Sequence, residues 1–547
     1  MIRDRDLKSI QEARTLVQRA KEAQTIFKTF SQEKVDAVFA AMAKAGYDAA
    51  EKLARLAVEE TGYGKVTDKI IKNQFGSRDV YEAYRDMQTV GVINEIEDKG
   101  VIEIAEPFGV VAAIIPTTNP TSTALFKSLI AIKSRNGIVV SPHPRAAKCT
   151  CEAVRIMRAA AEKAGAPAGL IGCLTVSHMS GVNELLRARD VGVILATGGP
   201  GLVRAAYSAG KPAYGVGPGN VPVYIDRSAK MEKAIADVVT GKTFDWGTLC
   251  SSEQALVIDE PVYDQALALL QKHNAYFLSE NEADRVGSLL VDKKGFINPD
   301  LVGHSPQDIA RAAGFSVSEK TQLLVAKMEN VGPEFPLSRE KLSPVLAVYR
   351  ANGWEDGCDR CIELLHMGGR GHTLAIHCQD EEVILQFGLQ KPAFRIVVNT
   401  PSSIGAVGYT TGLDPSMTLG CGSFGGNITA DNISPKHLMN TKRIAYEIRP
   451  VDKSPSSFDA WSPKSTLRKS KRGEFPYQKV FSSNVSRKGE SLLAKQKKAG
   501  DEKRTPSPPP VKKAETTRVY GKDLLSGEQV DTLVAKFLEE RKHALKK

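Results

Sequence analysis

Between Gln11 and Glu60, apolar residues recur three and four apart on a charged background, as in AVFAAMAKAGYDAAEKLARLAVEE. That period lines one face of a helix and predicts helical structure over residues 1–88. The period then changes. VGVINEIEDKGVIEIAEP carries the turn Asp98-Lys99-Gly100 and predicts an antiparallel ribbon over about residues 89–106.

From Gly109 onward, short apolar runs alternate with amphipathic stretches. GVVAAIIP, GIVVS, LIGCLTV and VGVILAT predict four strands. Helices are expected over 121–136, from about Ala146 to Gly165, over 181–188, and from Pro200, a favoured first-turn residue, to Gly210. Continuously apolar strands separated by amphipathic helices imply a parallel sheet covered on both faces. Ligands on such sheets bind beyond the carboxyl ends of the strands, which is where PTTNPTST, SPHPRA and TGGPG fall. Residues 221–425 continue with VPVYID, helices, the segment GKTFDWGTLCSSEQALVI, LSPVLAVYR and HTLAIH, a second α/β unit. Residues 438–450 form a basic, strand-like end to this body. The expected division is 1–225, 226–425 and a return segment at 426–450, in an α/β fold.

Composition changes this picture mainly at the end of the chain. A length of 547 residues exceeds what one core serves, and 42% apolar with 25% charged residues excludes disorder throughout. A formal charge of +11 invites nucleic acid or an anionic membrane as partner. However, residues after 450 hold 23 Lys/Arg against 12 Asp/Glu, leaving 51 of each in residues 1–450. The body is neutral. Residues 451–525, rich in Ser, Lys and Pro, bury too little to offset their ordering entropy and read as a flexible basic linker. They interleave few aromatic with basic residues, so specific nucleic-acid binding is not expected. In residues 526–547, Ser526 and Gln529 suit a helix start, and Val530, Leu533, Val534, Phe537 and Leu538 form one stripe. One such amphipathic helix is marginal alone in water, so the stripe calls for a partner surface, whether a groove on another protein, a membrane surface or a second copy of itself.

The remaining whole-chain signals are exclusions. No apolar run approaches the roughly 20 residues of a membrane span. The charged start MIRDRDLKSIQEAR has no apolar signal core, and eight cysteines are too sparse for a disulfide framework. A reducing cell interior is the expected compartment.

Among candidate chemical groups, Cys250 stands out because small and polar residues interrupt the α/β pattern around it. A buried core cysteine is the competing interpretation. No histidine lies near it in sequence, so a Cys-His pair has to be assembled by the fold. Cys358 and Cys361 have a C-x-x-C spacing without a second ligand pair, and Cys149 and Cys151 point in different directions on a helix. No metal site is expected. His372 and His377 flank an apolar run and suit structural or site roles equally. ATGGPG and GVGPGN are each compatible with a simple tight turn; together, after strand ends, they favour a nucleotide cofactor.

Taken in order over about residues 5–450, IIPTTNPTST, SPHPRA, ATGGPG, YGVGPGNVP, TFDWGTLCSSEQ, EKLSPVLAVYR and GRGHTLAIH resemble the CoA-acylating branch of the aldehyde dehydrogenase superfamily. The resemblance extends to enzymes of bacterial microcompartments and to the aldehyde-oxidising half of bifunctional aldehyde–alcohol dehydrogenases. It implies a Rossmann-type cofactor domain, a catalytic domain and a small oligomerisation ribbon. It also implies oxidation of a short-chain aldehyde, acetaldehyde or propionaldehyde, with NAD and CoA to an acyl-CoA and NADH. By position, Cys250 resembles the nucleophile and Asn119 the side chain that holds the developing oxyanion with the Cys250 backbone N–H. Thr197, Gly198 and Gly199 match the pyrophosphate loop, and Glu340 the glutamate on the nicotinamide ribose. His143 lies in the adenosine-side segment, which departs from the lysine-containing version of NAD-dependent relatives, so NADP stays open. Hydrolytic members carry a water-activating glutamate in an ELGG-type segment; here Gly215 stands about there. The tail resembles microcompartment encapsulation peptides. That implies shell or cargo partners for the terminal helix and a place inside a microcompartment of the bacterial cytoplasm, with the enzyme as a homo-oligomer, dimer or tetramer. A hydrolytic dehydrogenase and an inactive scaffold relative are the alternatives.

Overall fold

A computed structural model describes residues 4–448. The linker expected at 451–525 and the helix expected at 526–547 lie outside the described residues. Within them the chain divides into a large unit, residues 4–94 and 103–443, and a small one, residues 95–102 and 444–448.

The amino-terminal helices form as the three-and-four spacing requires: α1 (Arg5–Phe27), α2 (Gln32–Asp48), α3 (Ala50–Thr61), α4 (Val66–Gln74) and α5 (Val80–Tyr84). Gly62, in the left-handed region at φ 73°, ends α3. Between α4 and α5 a π-turn, Phe75–Asp79, adds a residue to the spiral, a feature common near functional sites. The ribbon residues form β1 (Val92–Ile96) and β2 (Val101–Pro107), with Gly100 left-handed at the turn.

The first parallel sheet contains β3 (Val110–Ile114), β4 (Gly137–Ser141), β5 (Ile171–Cys173), β6 (Val191–Thr197) and β7 (Ala213–Val216), in the order β5-β4-β3-β6-β7. Every residue of β3 and β4 is buried, as expected for strands covered on both faces. Helices α6 (Pro120–Lys133), α7 (Ala147–Lys163), α8 (Met179–Arg187) and α9 (Pro200–Tyr207) connect the strands. Two details differ from the sequence expectation. The strand expected over LIGCLTV stops at Cys173, because the Thr175 and Val176 N–H groups donate to the Glu12 carboxylate (3.0 and 2.9 Å) and the chain leaves the sheet. Conversely, AYGV joins the sheet as β7, parallel to β6, although its glycines read as part of a turn.

The second parallel sheet, also in the large unit, contains β8 (Val221–Ile225), β9 (Glu253–Asp259), β10 (Ala275–Phe277), β11 (Leu323–Lys327), β12 (Val345–Ala351), β13 (Leu374–His377) and β14 (Ile396–Val398). All its pairings are parallel, in the order β10-β11-β12-β9-β8-β13-β14. The basic end segment supplies β15 (Met439–Ala445), which completes a three-stranded sheet β1-β2-β15. In it Arg443 pairs with Glu103 (3.0 Å) and Lys442 with Glu106 (3.2 Å), so cross-strand charges set the register.

Candidate active site

A cavity of about 1120 Å³ opens at the carboxyl ends of β3, β4 and β6. Its wall includes every site residue expected from sequence: Asn119, His143, Thr197, Gly198, Gly199, Cys250 and Glu340. The parallel topology explains this convergence, since each polar segment follows a strand end. Asn119 caps α6, with Pro120 at the first helical position. Gly199 precedes α9, and no heavy atom lies within 4 Å of where its Cβ would stand, which leaves the approach to the helix start open. His143 lies beyond β4, and its Nδ1 accepts the Arg145 N–H at 3.2 Å.

Cys250 is brought to the wall by a kink. Helix α10 (Met231–Thr243) ends in a turn where Asp245 and Trp246 both take left-handed conformations, at φ 49° and 51°. Two consecutive non-glycine residues there cost of order 1–3 kcal/mol each unless tightly held. Asp245 is held by its buried carboxylate. Oδ1 accepts the Lys65 N–H (2.7 Å), and Oδ2 accepts Lys69 Nζ (2.9 Å), Thr248 Oγ1 (2.6 Å) and Lys72 Nζ.

The fold supplies the histidine that local sequence could not. His372, just before β13, places Nε2 3.2 Å from the Cys250 Sγ, while Nδ1 meets Thr373 Oγ1 at 2.9 Å. Arg395 donates to the His372 carbonyl at 2.5 Å and fixes the backbone. Gly219 abuts the same point; a Cβ there would stand 2.0 Å from the Cys250 carbonyl oxygen. Burial, with the Glu340 charge adding to it, pushes the Cys250 thiol up to about 12. Burial and the Arg395 guanidinium pull His372 down to about 3. At neutral pH the pair is therefore a thiol beside a neutral imidazole.

Glu340 is the one carboxylate on the cavity wall among the described residues. Its Oε1 accepts the Gly219 N–H at 2.9 Å, and burial raises its carboxyl to about 7. Asn119 Oδ1 accepts from Lys72 Nζ at 2.6 Å, while Nδ2 faces Thr118 Oγ1 (3.0 Å) and the Thr248 carbonyl (3.4 Å). Thr197 Oγ1 accepts from the buried Lys127 at 3.0 Å.

Other candidates stay outside. His377 sits at the end of β13, 3.9 Å from Asp237. Cys358 and Cys361 are buried against the seven-stranded sheet, where Cys358 meets Lys391. Among the described residues no three His, Cys, Asp or Glu side chains converge as a metal site would require. Gly215 is not on the cavity wall. It packs so closely in β7 that a Cβ would stand 2.7 Å from Tyr207 and Val203; Val216 takes the wall position instead. Sequence inspection missed Lys72 and Lys69. Their one available signal, three-residue spacing on α4, describes solvated surface lysines equally well.

The chain belongs to the aldehyde dehydrogenase family, whose model matches residues 4–294. It is 46% identical over 442 residues to the bifunctional aldehyde-alcohol dehydrogenase AdhE of Escherichia coli K12, a match covering 80% of this chain and 50% of that protein. The chain thus spans about half the length of that curated relative. Among solved structures, an acetylating aldehyde dehydrogenase from Geobacillus thermoglucosidasius is 52% identical with a TM-score of 0.81, covering 83% of this chain and all of that one. Two propionaldehyde dehydrogenases each give a TM-score of 0.72. That of the Clostridium phytofermentans fucose utilisation microcompartment is 27% identical over 80% of this chain and 97% of its own. That of Rhodopseudomonas palustris, solved with CoA and an acylated cysteine, is 28% identical over 79% and 97%.

Proposed function

We propose that the chain is a CoA-acylating aldehyde dehydrogenase that oxidises a short-chain aldehyde with NAD and CoA. The observation that carries this function is the pairing of Cys250, on the cavity wall, with the buried His372 behind it, where the single described wall carboxylate, Glu340, accepts the Gly219 N–H. The wall fits a nicotinamide dinucleotide. Gly199 and Gly217 leave their flanks open, the first turn of α9 lines the cavity through Gly201 and Leu202, and Thr197 and Glu340 offer polar contacts. When bound, that cofactor supplies the hydride acceptor; NADP is the variant left to test at His143.

The chain's own residues do the rest. The Cys250 thiol attacks the aldehyde carbonyl, its proton passing to His372 Nε2, and the amide of Asn119 with the Cys250 backbone N–H meets the oxyanion. Oxidation leaves an acyl thioester on Cys250. With the first proton released from His372 to solvent, a CoA thiol attacks the thioester carbonyl, His372 takes its proton and returns it to the departing Cys250 sulfur, and acyl-CoA is released. NADH formation that requires CoA is the test.

A small cleft of about 20 Å³ shares Leu249, Val407 and Met417 with the main cavity and is completed by Ile71, Phe75, Phe244, Ile404 and Tyr409, with Lys72 turned to its own partners. It offers an apolar tail about a methyl group's room. A carboxylate tail there loses water without gaining a partner, a cost above about 3 kcal/mol. We therefore expect kcat/KM for acetaldehyde and propionaldehyde to exceed that for succinic semialdehyde by at least about 100-fold. Equal values across this series would remove the cleft from the substrate's path.

For assembly, the three-stranded sheet β1-β2-β15, whose last strand is largely exposed, supports a homo-oligomer. The apolar stripe at 526–547 supports packaging with microcompartment shell or cargo proteins. Deleting residues 526–547 is expected to abolish co-purification with shells while leaving sedimentation mass and turnover unchanged. Undiminished loading into shells would count against packaging.

A further inference from the structure

The acid–base arrangement behind Asn119 has no part in the reaction sequence above, yet it is built from deeply buried charges. Lys72 and Asp245 are 4% and 0% exposed, and Lys69 is 2% exposed. Burying two ammonium groups around one carboxylate is costly and weak as a stabilising device. The nearest polar neighbours of Lys72 explain what the arrangement does: Asn119 Oδ1 at 2.6 Å, Thr248 Oγ1 at 3.2 Å, and the Asp245 carboxylate.

We propose that Lys72, held by Asp245, is the positioning residue of the oxyanion site: it fixes and polarises the Asn119 amide so that Nδ2 is presented to the reacting carbonyl. This rests on the assignment of Asn119 as oxyanion donor. An ammonium only donates hydrogen bonds, so the amide face toward Lys72 must be oxygen. Rotation of the amide by half a turn would set N–H against N–H in a buried site. The Nδ2 side is thereby turned toward Thr248 and the cysteine segment. A cation 2.6 Å from Oδ1 also draws electron density toward oxygen and makes the Nδ2 hydrogens stronger donors.

The kink and the amide share one clamp. Asp245 Oδ2 accepts from Lys69, Lys72 and Thr248, two positions before the nucleophile, so the same carboxylate that secures the left-handed turn also seats the cation behind Asn119. The loop between α3 and α4 closes over it: Gly64 lies against Asp245, where a Cβ would stand 1.9 Å from Oδ1, and Lys65 adds its N–H. Placement of nucleophile and oxyanion donor is thus linked through one ion cluster.

The charged groups acting on Lys72 are Asp245 from the kink and Lys69 and Asp68 from its own helix. Burial outweighs the help of Asp245 and brings the Lys72 ammonium down to about 8. The cation is present below that pH and is lost as pH rises through it.

The experiment compares Lys72→Met, Asn119→Ala and the double variant in the pre-steady-state NADH burst with acetaldehyde. It is set beside the rate of Cys250 alkylation by iodoacetamide, which forms a C–S bond, expels iodide and creates no oxyanion. Lys72→Met is expected to lower the burst by about 10²–10³-fold, the usual effect of losing one oxyanion donor. Its KM for aldehyde and its alkylation rate should stay within about 3-fold of wild type. The double variant should fall little below Asn119→Ala, because both changes remove one interaction. A near-wild-type burst for Lys72→Met beside a crippled Asn119→Ala overturns the positioning role alone, as do losses that multiply in the double variant. A full burst in Asn119→Ala instead overturns the oxyanion assignment beneath it. The wild-type protein provides a measurement that needs no variant: its burst should decline above about pH 8 while alkylation accelerates. A burst that climbs together with alkylation through about pH 9 also overturns the proposal.

Discussion

Cys250→Ala is expected to abolish acyl-CoA formation, lowering turnover by at least about 10⁴-fold, while cofactor affinity changes little. The size of the loss follows from the kind of step removed. Without the thiol no covalent adduct forms, and no neighbouring group can replace it: His372 is held in the neutral form by burial and Glu340 is tied to the Gly219 N–H. Retained affinity follows from geometry, because Thr197, Gly198, Gly199 and Glu340 belong to β6, the turn before α9, and the loop before β12, none of which depends on the Cys250 side chain. The fold should also survive, since truncating a partly exposed cysteine to alanine leaves only a small gap. Absorbance at 340 nm with CoA and aldehyde reads the first expectation, and quenching on NADH titration reads the second. Aldehyde-dependent NADH formation at a comparable rate in the variant would move the nucleophile elsewhere.

The second large effect concerns the acceptor. In the absence of CoA, steady NADH formation is expected to fall by about 10²–10⁴-fold after one turnover per site, the factor a positioned general base normally supplies. Water needs such a base to attack a thioester. Gly215, about where the base is expected, lies off the wall, its neighbour Val216 is apolar and 2% exposed, and the remaining wall carboxylate, Glu340, keeps Oε1 on the Gly219 N–H and is proposed to hold the nicotinamide ribose. A CoA thiol is the stronger nucleophile and needs only a proton acceptor, the part proposed for His372, whose Nε2 lies 3.2 Å from the Cys250 sulfur. Quenched-flow measurement should show a burst of NADH equal to the enzyme concentration, then a stall that CoA relieves. Continuous release of free acid at the CoA-dependent rate would instead identify a hydrolytic enzyme and a base not on this wall.

Much of the architecture is legible in the chain because local periodicity reports burial. Runs such as GIVVS are apolar on both faces only if both are covered, and that condition alone implies the parallel sheet. The expected site segments converge because parallel strands send their carboxyl ends to one side. Where the expectation failed, a long-range contact decided. Glu12 draws Thr175 and Val176 out of the third strand, and pairing with β6 turns AYGV from a turn into β7. Gly215 is a further instance: the motif points to its neighbourhood, but the strand's alternation turns Val216, not Gly215, to the cavity.

The charge sum of the sequence alone establishes that the body is neutral and the basic excess lies beyond residue 450, because net charge needs no coordinates. Spacing likewise determines the alternating α/β pattern, the small and polar residues around Cys250 mark that cysteine, and the family resemblance of PTTNP points to Asn119. Only the tertiary structure decided which histidine serves the cysteine. His372 and His377 flank the same strand and look alike in sequence, yet one reaches Cys250 across 122 positions and the other lies near Asp237. It alone joined Lys72, Asp245 and Asn119 as well. Their chemistry comes from burial and from distances of a few ångströms between segments far apart in the chain, and neither quantity is written in the order of residues.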